Sequence, residues 1–513
     1  MAKTDVLIVG AGPTGLALAC QLVRYGLDFK IIDAKEGTTP FSKAIGVQAR
    51  TLEIYEQIGL ADKLIEKGLI TEKVRMFAGG KMRGEAEFKS LGEGLSPYPY
   101  VLIVEQGIHE KILYEHITAA GKDVQWGTEL VDFLQDETGV HAQIKGADGA
   151  ETTIDAKYLV ACDGAKSLVR HKLGLEFGGS TFERMFYVAD VKIEWVYPHD
   201  ALQIMLMKDQ LLAFFPMLGD KRYRIVGTFP EEFTKDEGDV LYDEIETQIK
   251  KDAALQVDVT DVNWFSTYKV HTRHVDKFSV GRCFLAGDSA HIHSPAGAQG
   301  MNTGIQDGYN LAWKLAWVIR GLASSELLAT YNEERLPNAE QLTKTTDRFF
   351  GFAAGPEPVV AFTRLHVFPY IAQFLLSLDA VKRFVFPRIS QIQITYEDYT
   401  LSKQVGNFKV SAGDRMPWFT IDGRSIYDDL REPQFHLVIF NDGKSEVVEP
   451  ADLIAGWEGQ IDSHSYALFP HVAEVFGTER SFFLILRPDN YIGMISDDLS
   501  PEVVKKYLDL VSR

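Results

Sequence analysis

Cysteine is scarce in this chain of 513 residues, which contains only Cys20, Cys162 and Cys283. The three lie far apart, and no pair has the spacing of a zinc motif or of a redox C-x-x-C motif. A disulfide framework is therefore excluded and a disulfide reductase is disfavoured. Each cysteine falls in an apolar pattern, so we expect small buried side chains and a reducing, cytoplasmic compartment.

Positive charge is also in short supply, with 53 Lys and Arg residues against 72 Asp and Glu residues and a formal net charge of −19. A basic face that could displace counterions from nucleic acid is not expected on such a chain. The same deficit argues against binding to anionic membranes. Cations that do occur near an anion-binding motif therefore carry more information than usual.

Long hydrophobic runs are missing as well. The most apolar late stretch, residues 361–389, is interrupted by Arg364, Lys382 and Arg383 and by two prolines, so it lacks the continuous length of a membrane helix. The apolar run at the N-terminus is brief and breaks into glycines, unlike a signal peptide. We expect no membrane segment and no nucleic-acid partner.

The most informative stretch that is present lies at the N-terminus. Residues 6–9 form an apolar run typical of a buried parallel strand, and residues 16–24 have a helical pattern. Between them, Gly10, Gly12 and Gly15 have G-x-G-x-x-G spacing. The first glycine permits a tight turn, the second lets the backbone approach a pyrophosphate, and the third lets helix pack on strand. The N–H groups of the new helix then point at the anion.

A second strand and an acidic residue complete this unit. Residues 27–32 form the strand, and Asp33 ends it, at about the distance of 20 residues where a carboxylate binds a ribose hydroxyl. The ordered set of strand, glycines, helix, strand and acid predicts a dinucleotide site. The alternative is a glycine-rich turn in an unrelated α/β protein.

The pattern of apolar and polar residues changes twice in the rest of the chain. Residues 178–267 alternate apolar and polar positions and are rich in β-branched and aromatic residues, which predicts an antiparallel sheet with one covered face. Residues 281–287 form another buried strand, and residues 301–321 a helix. From residue 406 onward the pattern is that of a small separate α/β unit.

Three further motifs follow the glycine motif in order. They are Cys162-Asp163-Gly164-Ala165-Lys166-Ser167-Leu168-Val169-Arg170, Gly287-Asp288-Ser289-Ala290-His291 and Gly300-Met301-Asn302-Thr303-Gly304-Ile305-Gln306-Asp307. Together the four motifs resemble the FAD-dependent aromatic hydroxylases, the single-component flavoprotein monooxygenases that include para-hydroxybenzoate and phenol hydroxylase. The C-terminal unit resembles the thioredoxin-like appendage of the phenol hydroxylase branch, with Leu486-Arg487-Pro488-Asp489 as its best local match.

The resemblance implies an α/β fold, α+β overall, in which a Rossmann-like FAD-binding domain is interleaved with an antiparallel-sheet substrate domain. The implied FAD-binding domain comprises residues 1–72, 101–177 and 270–340, and the substrate domain residues 73–100 and 178–269. Residues 341–395 would be a helical connection and residues 396–513 the thioredoxin-like domain. That last domain contains no cysteine, so we expect a structural or oligomeric role and leave a homodimer open.

The resemblance also implies roles for individual residues. Asp33 would hold the adenosine ribose, Gln106 would touch the FAD, and Asp288 would accept a hydrogen bond from the ribityl chain. Asp163 and Gly164 would lie where FAD meets the nicotinamide donor. The cofactor-binding set is Gly10, Gly12, Pro13, Thr14, Gly15, Asp33, Lys43, Gln106, Asp163, Gly164, Asp288, Gly300, Met301 and Asn302.

Backbone N–H groups of Gly300, Met301 and Asn302 would face the N1–C2 edge of the flavin. The residues themselves support this role, because a helix that begins near Gly300 has unsatisfied donors and a positive dipole end there. Such donors stabilise the negative charge that a reduced flavin carries in its pyrimidine half. The preceding loop, with Pro295 and Gly297, is predicted to lie flat against the ring as the catalytic segment.

Lys43 departs from the family pattern, which usually has Arg at this position in the loop near the pyrophosphate and the nicotinamide donor. Lysine supplies a point charge and cannot form the bidentate fork of arginine. The choice between NADPH and NADH therefore stays open. Arg50, seven residues on, is either a solvated surface charge or a ligand.

The middle sheet offers candidates for the substrate pocket. Gln203, Met205, Phe214 and Phe215, with Pro295 from the flavin loop, are the predicted substrate contacts. The alternative is that most of these side chains simply form the covered face of a sheet. His291 and His293 have strand spacing but no third ligand near them in sequence, so we expect no metal site.

The function implied by the resemblance is hydroxylation of an aromatic substrate, phenolic or polycyclic, with NAD(P)H and O₂. The donor would reduce FAD, O₂ would add at flavin C4a, and the distal oxygen of the (hydro)peroxide would pass to the ring. Two alternatives remain: an FAD-dependent dehydrogenase or reductase of the same fold, and a non-catalytic flavin-binding interaction protein.

Overall fold

The computed structural model describes residues 2–40, 44–208, 210–230, 240–253, 257–294, 299–355, 357–376, 378–444, 449–457 and 459–512. Its elements in the first part of the chain are β1 (Ala2–Val9), α1 (Pro13–Arg24), β2 (Phe29–Asp33), β3 (Gly46–Val47), α2 (Ala49–Glu56), α3 (Ala61–Glu66), β4 (Leu69–Ile70), β5 (Lys73–Ala78), β6 (Lys81–Glu87), β7 (Leu102–Ile103), α4 (Gln106–Ala119), β8 (Val124–Trp126), β9 (Glu129–Gln135), β10 (Val140–Lys145), β11 (Glu151–Ala161) and α5 (Leu168–Lys172).

The middle elements are β12 (Gly178–Glu194), β13 (Ala201–Leu206), β14 (Leu211–Pro216), β15 (Arg222–Thr228), α6 (Tyr242–Ala253), β16 (Asp258–His274), β17 (Ser279–Val280), β18 (Cys283–Leu285), β19 (His291–Ile292), α7 (Gly300–Ile319) and α8 (Ala329–Ala354). The last elements are α9 (Pro358–His366), α10 (Phe368–Leu376), α11 (Asp379–Ile389), β20 (Lys403–Val405), β21 (Thr420–Ile421), β22 (Arg424–Ser425), β23 (Phe435–Asn441), α12 (Pro450–Leu453), β24 (Ile461–Ala467), α13 (Pro470–Phe476), β25 (Phe482–Leu486), β26 (Ile492–Ser496) and α14 (Pro501–Ser512).

The first sheet has the strand order β17-β18-β11-β1-β2-β8, with β9 and β10 attached beside β11. Strands β18, β11, β1, β2 and β8 run parallel to one another, and β17 pairs with β18 in the antiparallel direction. The central residues of these strands, such as residues 6–9 of β1 and 158–161 of β11, are apolar and buried, as expected for a parallel sheet covered on both faces. Helices α1 and α7 pack against each other over this sheet, where Gly308 of α7 lies against Leu18 of α1. The predicted Rossmann-like core is confirmed.

The second sheet has the order β19-β16-β12-β15-β14-β13-β5-β6 and is antiparallel except where β13 meets β5. One face is covered by α6, whose Ile245 and Ile249 join Tyr187, Met205 and Ile225 in one core cluster. The other face meets the first domain. The antiparallel sheet predicted from the alternating pattern of residues 178–267 is confirmed. The expectation of one covered face is not met, because Ile45 and Ile103 of the first domain pack against part of the second face.

The C-terminal unit has a five-stranded sheet of order β20-β26-β25-β23-β24. Its central strands β23 and β25 are antiparallel to each other, and α14 is its last helix. The small α/β unit predicted from residue 406 onward is thus confirmed. One face packs on the first domain, where Phe435 meets Trp313 and Trp317 of α7 in edge-to-face contacts.

Helices α8 to α11 connect the first domain with the C-terminal unit. Among the described residues, no single helix has both the length and the apolar character to cross a bilayer, although α9 and α10, bent by 49° at their junction, reach both when taken together.

Candidate FAD site

Four strand ends meet at one edge of the parallel sheet. Residue Val9 is in register with Ala161 on one side and with Ile32 on the other, and Ala161 is in register with Leu285. Backbone hydrogen bonds continue past these ends, since the Cys162 amide donates to the Val9 carbonyl at 2.7 Å. The glycine turn, Asp33, Asp163 and Asp288 therefore follow four adjacent strands, at the edge where α/β folds bind their ligands.

The glycine turn has three different steric environments. Gly10 has φ +102°, and a Cβ there would lie 2.2 Å from the Cys162 carbonyl oxygen. A Cβ at Gly15 would lie 2.0 Å from the Gly10 carbonyl oxygen. At Gly12 a Cβ would meet no atom within 4 Å. The outer two glycines thus permit close backbone packing, and Gly12 borders the open space that a pyrophosphate needs.

Helix α1 begins at Pro13, directly after Gly12 as its N-cap residue, without a side-chain cap. Its first N–H groups consequently face outward from the turn. Thr14 points inward. A Cβ at Gly287 would lie 2.5 Å from Thr14 Oγ1, and one at Gly304 would lie 2.3 Å from the same atom. Thr14 therefore packs α1 against the Gly287 turn and against α7.

Asp33 stands at the end of β2, as predicted, and holds the glycine turn in place. Its Oδ2 accepts a hydrogen bond from the Ala11 amide at 2.7 Å, and Oδ1 accepts one from the Lys35 amide at 2.8 Å. Each carboxylate oxygen keeps a second lone pair. The ribose contact of Asp33 stays a prediction.

Gln106 starts α4 and donates from Nε2 to Glu110 Oε1 at 2.8 Å. The other oxygen of Glu110 accepts a hydrogen bond from the Thr39 amide at 2.7 Å. Gln106 therefore belongs to a link between α4 and the loop that follows β2. Glu110 was missed by the sequence analysis, because neither periodicity nor a motif marks this contact.

Asp163, which follows β11, places a carboxylate at the sheet edge. Its Oδ1 is buried and has no hydrogen-bond partner among the described residues, while Oδ2 lies 3.4 Å from the Val169 amide. Burial raises the pKa of the Asp163 carboxyl. The next residue, Gly164, has φ +77° and open space where a Cβ would lie. A hydroxyl of a bound dinucleotide fits this carboxylate, because a buried oxygen without a partner is costly.

Asp288 is exposed within the short 3₁₀ turn Gly287–Ser289 that follows β18. Hydrogen bonds to buried atoms hold this turn in place. Ser289 Oγ donates to the Ala161 carbonyl at 2.7 Å, and the Gly287 amide donates to Asp307 Oδ2 at 2.9 Å. The turn thus presents the Asp288 carboxylate outward at the sheet edge, where the sequence analysis placed a ribityl-binding group.

Asp307, in the last motif, is the centre of a buried network. Its Oδ2 lies 2.7 Å from His291 Nε2, and its Oδ1 accepts from Arg335 Nε at 2.7 Å. Burial alone would raise the pKa of Asp307, but the Arg335 guanidinium and His291 lower it overall. Arg335 also donates to the Tyr396 hydroxyl at 3.0 Å. His291 is therefore a structural partner of Asp307, and the motif positions the turn that carries Asp288.

His293 lies against the start of α7. A Cβ at Gly300 would be 3.1 Å from His293 Nε2, and that nitrogen is buried without a partner among the described residues. Its Nδ1 lies 2.7 Å from the Ser294 carbonyl. Burial lowers the pKa of His293 to about 4.

Helix α7 begins at Gly300, as the cofactor-binding prediction requires. The Asn302 side chain clamps its first turn: Oδ1 accepts from the Gln48 amide at 2.9 Å and from Thr51 Oγ1 at 2.8 Å, and Nδ2 donates to the Gly46 carbonyl at 2.9 Å. The N–H groups at the start of α7, including that of Met301, have no acceptor within the helix. Lys43, Pro295 and Gly297 lie outside the described residues, so their predicted roles are not tested.

The substrate candidates divide between two sheet faces. Gln203 is in register with Phe214, and both are fully buried on the face covered by α6, as is Met205. Phe215 lies on the opposite face, in a cluster with Ile45 and Ile103 of the first domain. Because side chains alternate along a strand, one pocket cannot be lined by both sets. The substrate roles of Gln203, Met205, Phe214 and Phe215 stay predictions, as does that of Pro295, which lies outside the described residues.

Arg50 is neither a surface charge nor exposed to a ligand. Its side chain is 1% exposed, its Nη1 lies 3.2 Å from Glu53 Oε2, and its Nη2 donates to the Asp489 carbonyl at 2.9 Å. The sequence could not show this partner, because it lies 439 residues away. Arg50 connects the first domain to the C-terminal unit.

The comparisons with known proteins agree with this geometry. The family described as an FAD binding domain matches residues 3–346. A flavin-dependent monooxygenase of Mycobacteroides abscessus is 33% identical over 98% of this chain and 99% of its own length. The pentachlorophenol 4-monooxygenase of Sphingobium chlorophenolicum is 29% identical over 99% of this chain and 97% of its own length.

Among solved structures, the anhydrotetracycline hydroxylase OxyS from Streptomyces rimosus superposes with a TM-score of 0.77 at 28% identity, covering 99% of each chain. Both similarities in sequence and the superposition extend over the C-terminal unit as well as the FAD-binding part. The chain belongs to the FAD-dependent aromatic hydroxylases, and it is an FAD-dependent monooxygenase.

Proposed function

We propose that this enzyme hydroxylates a phenolic or polycyclic aromatic substrate with NAD(P)H as reductant and O₂ as the oxygen source. The observation that carries the proposal is the buried Asp163 Oδ1, which accepts no hydrogen bond from the described part of the chain. It lies at the same sheet edge as the open space beside Gly12 and the exposed Asp288. A dinucleotide lying along this edge would satisfy all three positions.

Each part of the edge has its own task in this proposal. The turn around Gly12 and the start of α1 bind the pyrophosphate, and Asp33 binds the adenosine ribose. Asp163 and Asp288 accept hydrogen bonds from hydroxyl groups of the cofactor. The start of α7 stabilises negative charge on the pyrimidine half of the ring system. FAD, when bound, supplies hydride acceptance and oxygen activation, and the protein supplies orientation and exclusion of water.

The substrate would lie on the face of the second sheet that meets the first domain. On that face Phe215 is in register with Arg224. Arg224 forms a bidentate pair with Asp190, with contacts of 2.6 and 2.7 Å, and its Nη1 lies 3.4 Å from the Ala44 carbonyl. The pair neutralises both charges and leaves Phe215 to offer an apolar ring for stacking.

The substrate class rests on the relatives, one of which is named for pentachlorophenol and another for anhydrotetracycline. The test is a panel of phenols and polycyclic aromatics, scored for faster NADPH or NADH oxidation and for product mass under ¹⁸O₂. We expect at least one member to accelerate oxidation and to gain one labelled oxygen atom. Turnover without the label would instead support a dehydrogenase, and no acceleration by any member would support a non-catalytic role.

Two variants test where the substrate binds. Phe215→Ala should raise the KM of the accepted substrate by up to about tenfold, because contact between two aromatic rings contributes about 0.5–1.5 kcal/mol. The matched control is Phe362→Ala, which removes an exposed ring in α9. Equal effects of the two variants on KM would contradict the assignment of the sheet face.

We further propose a cytoplasmic enzyme without a nucleic-acid partner, on the basis of its net charge of −19. Such a chain should pass through heparin resin at low salt, since it has few cations with which to release counterions. Light scattering of the purified protein would settle the homodimer left open by the C-terminal unit. Retention on heparin would contradict the proposal.

A further inference from the structure

Two histidines and one aspartate converge on the outer edge of the C-terminal sheet. Strands β23 and β24 are parallel, with His436 in register with Asp462 and with His464 two residues further along β24. His464 Nε2 lies 3.3 Å from His436 Nδ1 and 3.3 Å from Asp462 Oδ2. All the candidate ligand atoms of this His436–Asp462–His464 cluster lie within 4.8 Å of one another.

The tautomer of His436 is set by its other nitrogen. Nε2 lies 3.1 Å from the Glu432 carbonyl oxygen, which can only accept a hydrogen bond. Nε2 therefore carries the proton, and Nδ1 turns its lone pair toward His464 and Asp462. A neutral imidazole held by a backbone carbonyl is the usual form of a metal-binding histidine.

The distances favour a metal over a simple hydrogen-bonded trio. Each 3.3 Å contact is longer than an ordinary hydrogen bond. A tetrahedral zinc ion with bonds of about 2.0–2.1 Å separates neighbouring ligand atoms by about 3.3 Å. Asp462 Oδ1 already accepts from the Ser463 amide at 2.7 Å, which fixes the carboxylate and leaves Oδ2 facing the cluster.

We propose that His436, Asp462 and His464 bind one divalent ion of the zinc class, with water at the fourth position. Two imidazole nitrogens and one carboxylate oxygen form a ligand set suited to zinc and its first-row neighbours. The Asp462 side chain is 40% exposed and that of His464 17%, so solvent can reach the fourth position. This site was not expected from the sequence, which places its ligands 26 and 28 residues apart along the chain.

The surroundings are compatible with a bound cation. The ring of His464 stacks on Tyr466 at an interplanar angle of 8°, and the Tyr466 hydroxyl donates to Asp429 Oδ2 at 2.7 Å. Because β24 is the last strand of the sheet, the ion would fasten this edge strand to β23 and would stabilise the folded C-terminal unit.

The test is a titration of the untagged, metal-free full-length protein with Co²⁺, followed through the visible bands of tetrahedral cobalt, and with Zn²⁺ in a calorimeter. We expect one equivalent of either ion and a rise in Tm with Zn²⁺. His464→Ala should weaken Zn²⁺ binding about tenfold or more, as loss of a ligand requires. The control is His471→Ala, an exposed histidine of the same unit outside the cluster.

His436 is buried and its replacement can disturb the sheet, so Asp462→Asn is the second variant. It alters the more exposed ligand, and it too should weaken Zn²⁺ binding while FAD content stays at the wild-type level. No uptake by the wild-type protein would overturn the proposal. Unchanged binding in both His464→Ala and Asp462→Asn, or an equal loss in His471→Ala, would overturn it as well.

Discussion

The Arg487 guanidinium of the C-terminal unit pairs with the Glu334 carboxylate of α8, with contacts of 2.6 and 3.0 Å. Both side chains are fully buried, and Lys314 of α7 contacts the same carboxylate at 2.8 Å. Asp489 binds Arg487 from the other side. The segment that most resembles the family in the C-terminal unit is therefore an electrostatic link to the FAD-binding domain.

Breaking this link should destabilise the whole chain. Glu334→Ala leaves Arg487 and Lys314 buried with too little negative charge, and we expect a loss of about 3–5 kcal/mol in the free energy of unfolding. Urea denaturation measures it. The control, Asp509→Asn, breaks the exposed pair of Lys505 and Asp509, which should cost well under about 1 kcal/mol. Similar losses in both variants would contradict the role of the buried pair.

Two glycine substitutions should separate folding from cofactor binding. Gly12→Ala places a methyl group in open space, so the protein should fold but lose affinity for FAD. Gly15→Ala places one 2.0 Å from the Gly10 carbonyl oxygen and should prevent normal folding. Circular dichroism and FAD fluorescence quenching report the two effects. A Gly12→Ala variant with wild-type FAD affinity would argue against a pyrophosphate beside this residue.

Asp163→Asn tests the carboxylate whose Oδ1 has no hydrogen-bond partner among the described residues. Burial already disfavours the charged form of Asp163, so a neutral amide of the same shape should leave the stability of the cofactor-free protein unchanged or higher. The FAD dissociation constant should rise about tenfold, the equivalent of one lost hydrogen bond to a charged acceptor. Asp132→Asn makes the same chemical change at an exposed site paired with Lys172. Its FAD affinity should match that of the wild type.

Asp288→Ala should yield colourless protein with a wild-type Tm in the absence of cofactor. The side chain is exposed, and surface substitutions usually change stability by about 0.5 kcal/mol or less. The measurement is the flavin absorbance of purified protein, before and after incubation with excess FAD. A variant that is as yellow and as active as the wild type would rule out the assigned cofactor contact.

The free energy of unfolding should decrease as the pH is lowered below about 6.5, the ordinary pKa of histidine. Burial lowers the pKa of His109 to about 3 and that of His293 to about 4. The unfolded chain takes up these protons near pH 6.5 and the folded protein does not. Between pH 6.5 and pH 4 the unfolded state therefore binds more protons than the folded state. Each of these histidines should lower the free energy of unfolding by about 1.4 kcal/mol for every unit by which the pH falls in this range.

Urea midpoints measured between pH 7.5 and pH 5 would check this slope. His109→Gln should flatten it by the share of one histidine. His141 is the contrasting control, because the hydrogen bonds that it donates to the carboxylates of Asp155 and Asp136 raise its pKa. His141→Gln should make the slope steeper, since His141 binds its proton more tightly in the folded state. A slope unaffected by His109→Gln would contradict the prediction.

Local sequence determined the parts of this protein that depend on neighbours in the chain. The strand, the glycine turn and helix α1 follow from apolar periodicity and from the glycine spacing, in which Gly10 and Gly15 leave no room for a Cβ. Asp33, Asp163 and Asp288 reach one edge because parallel strands end there together. The alternating middle segment predicted its sheet, but not which face meets the first domain. The periodicity is the same for Phe214 and Phe215, and only the packing of α6 distinguishes their faces.

Tertiary structure decided what depends on distant partners. The sequence predicted Arg50 to be either a surface charge or a ligand, whereas the fold pairs it with the Asp489 carbonyl of the C-terminal unit. The structural role of Asp307 likewise depends on its contacts with His291 and Arg335. The His436–Asp462–His464 cluster exists because β23 and β24 pair in one register. The burial of a side chain, its ion pairs and the geometry of a ligand cluster all depend on contacts between segments that are distant in sequence. The sequence alone predicts such contacts only where a known motif marks them.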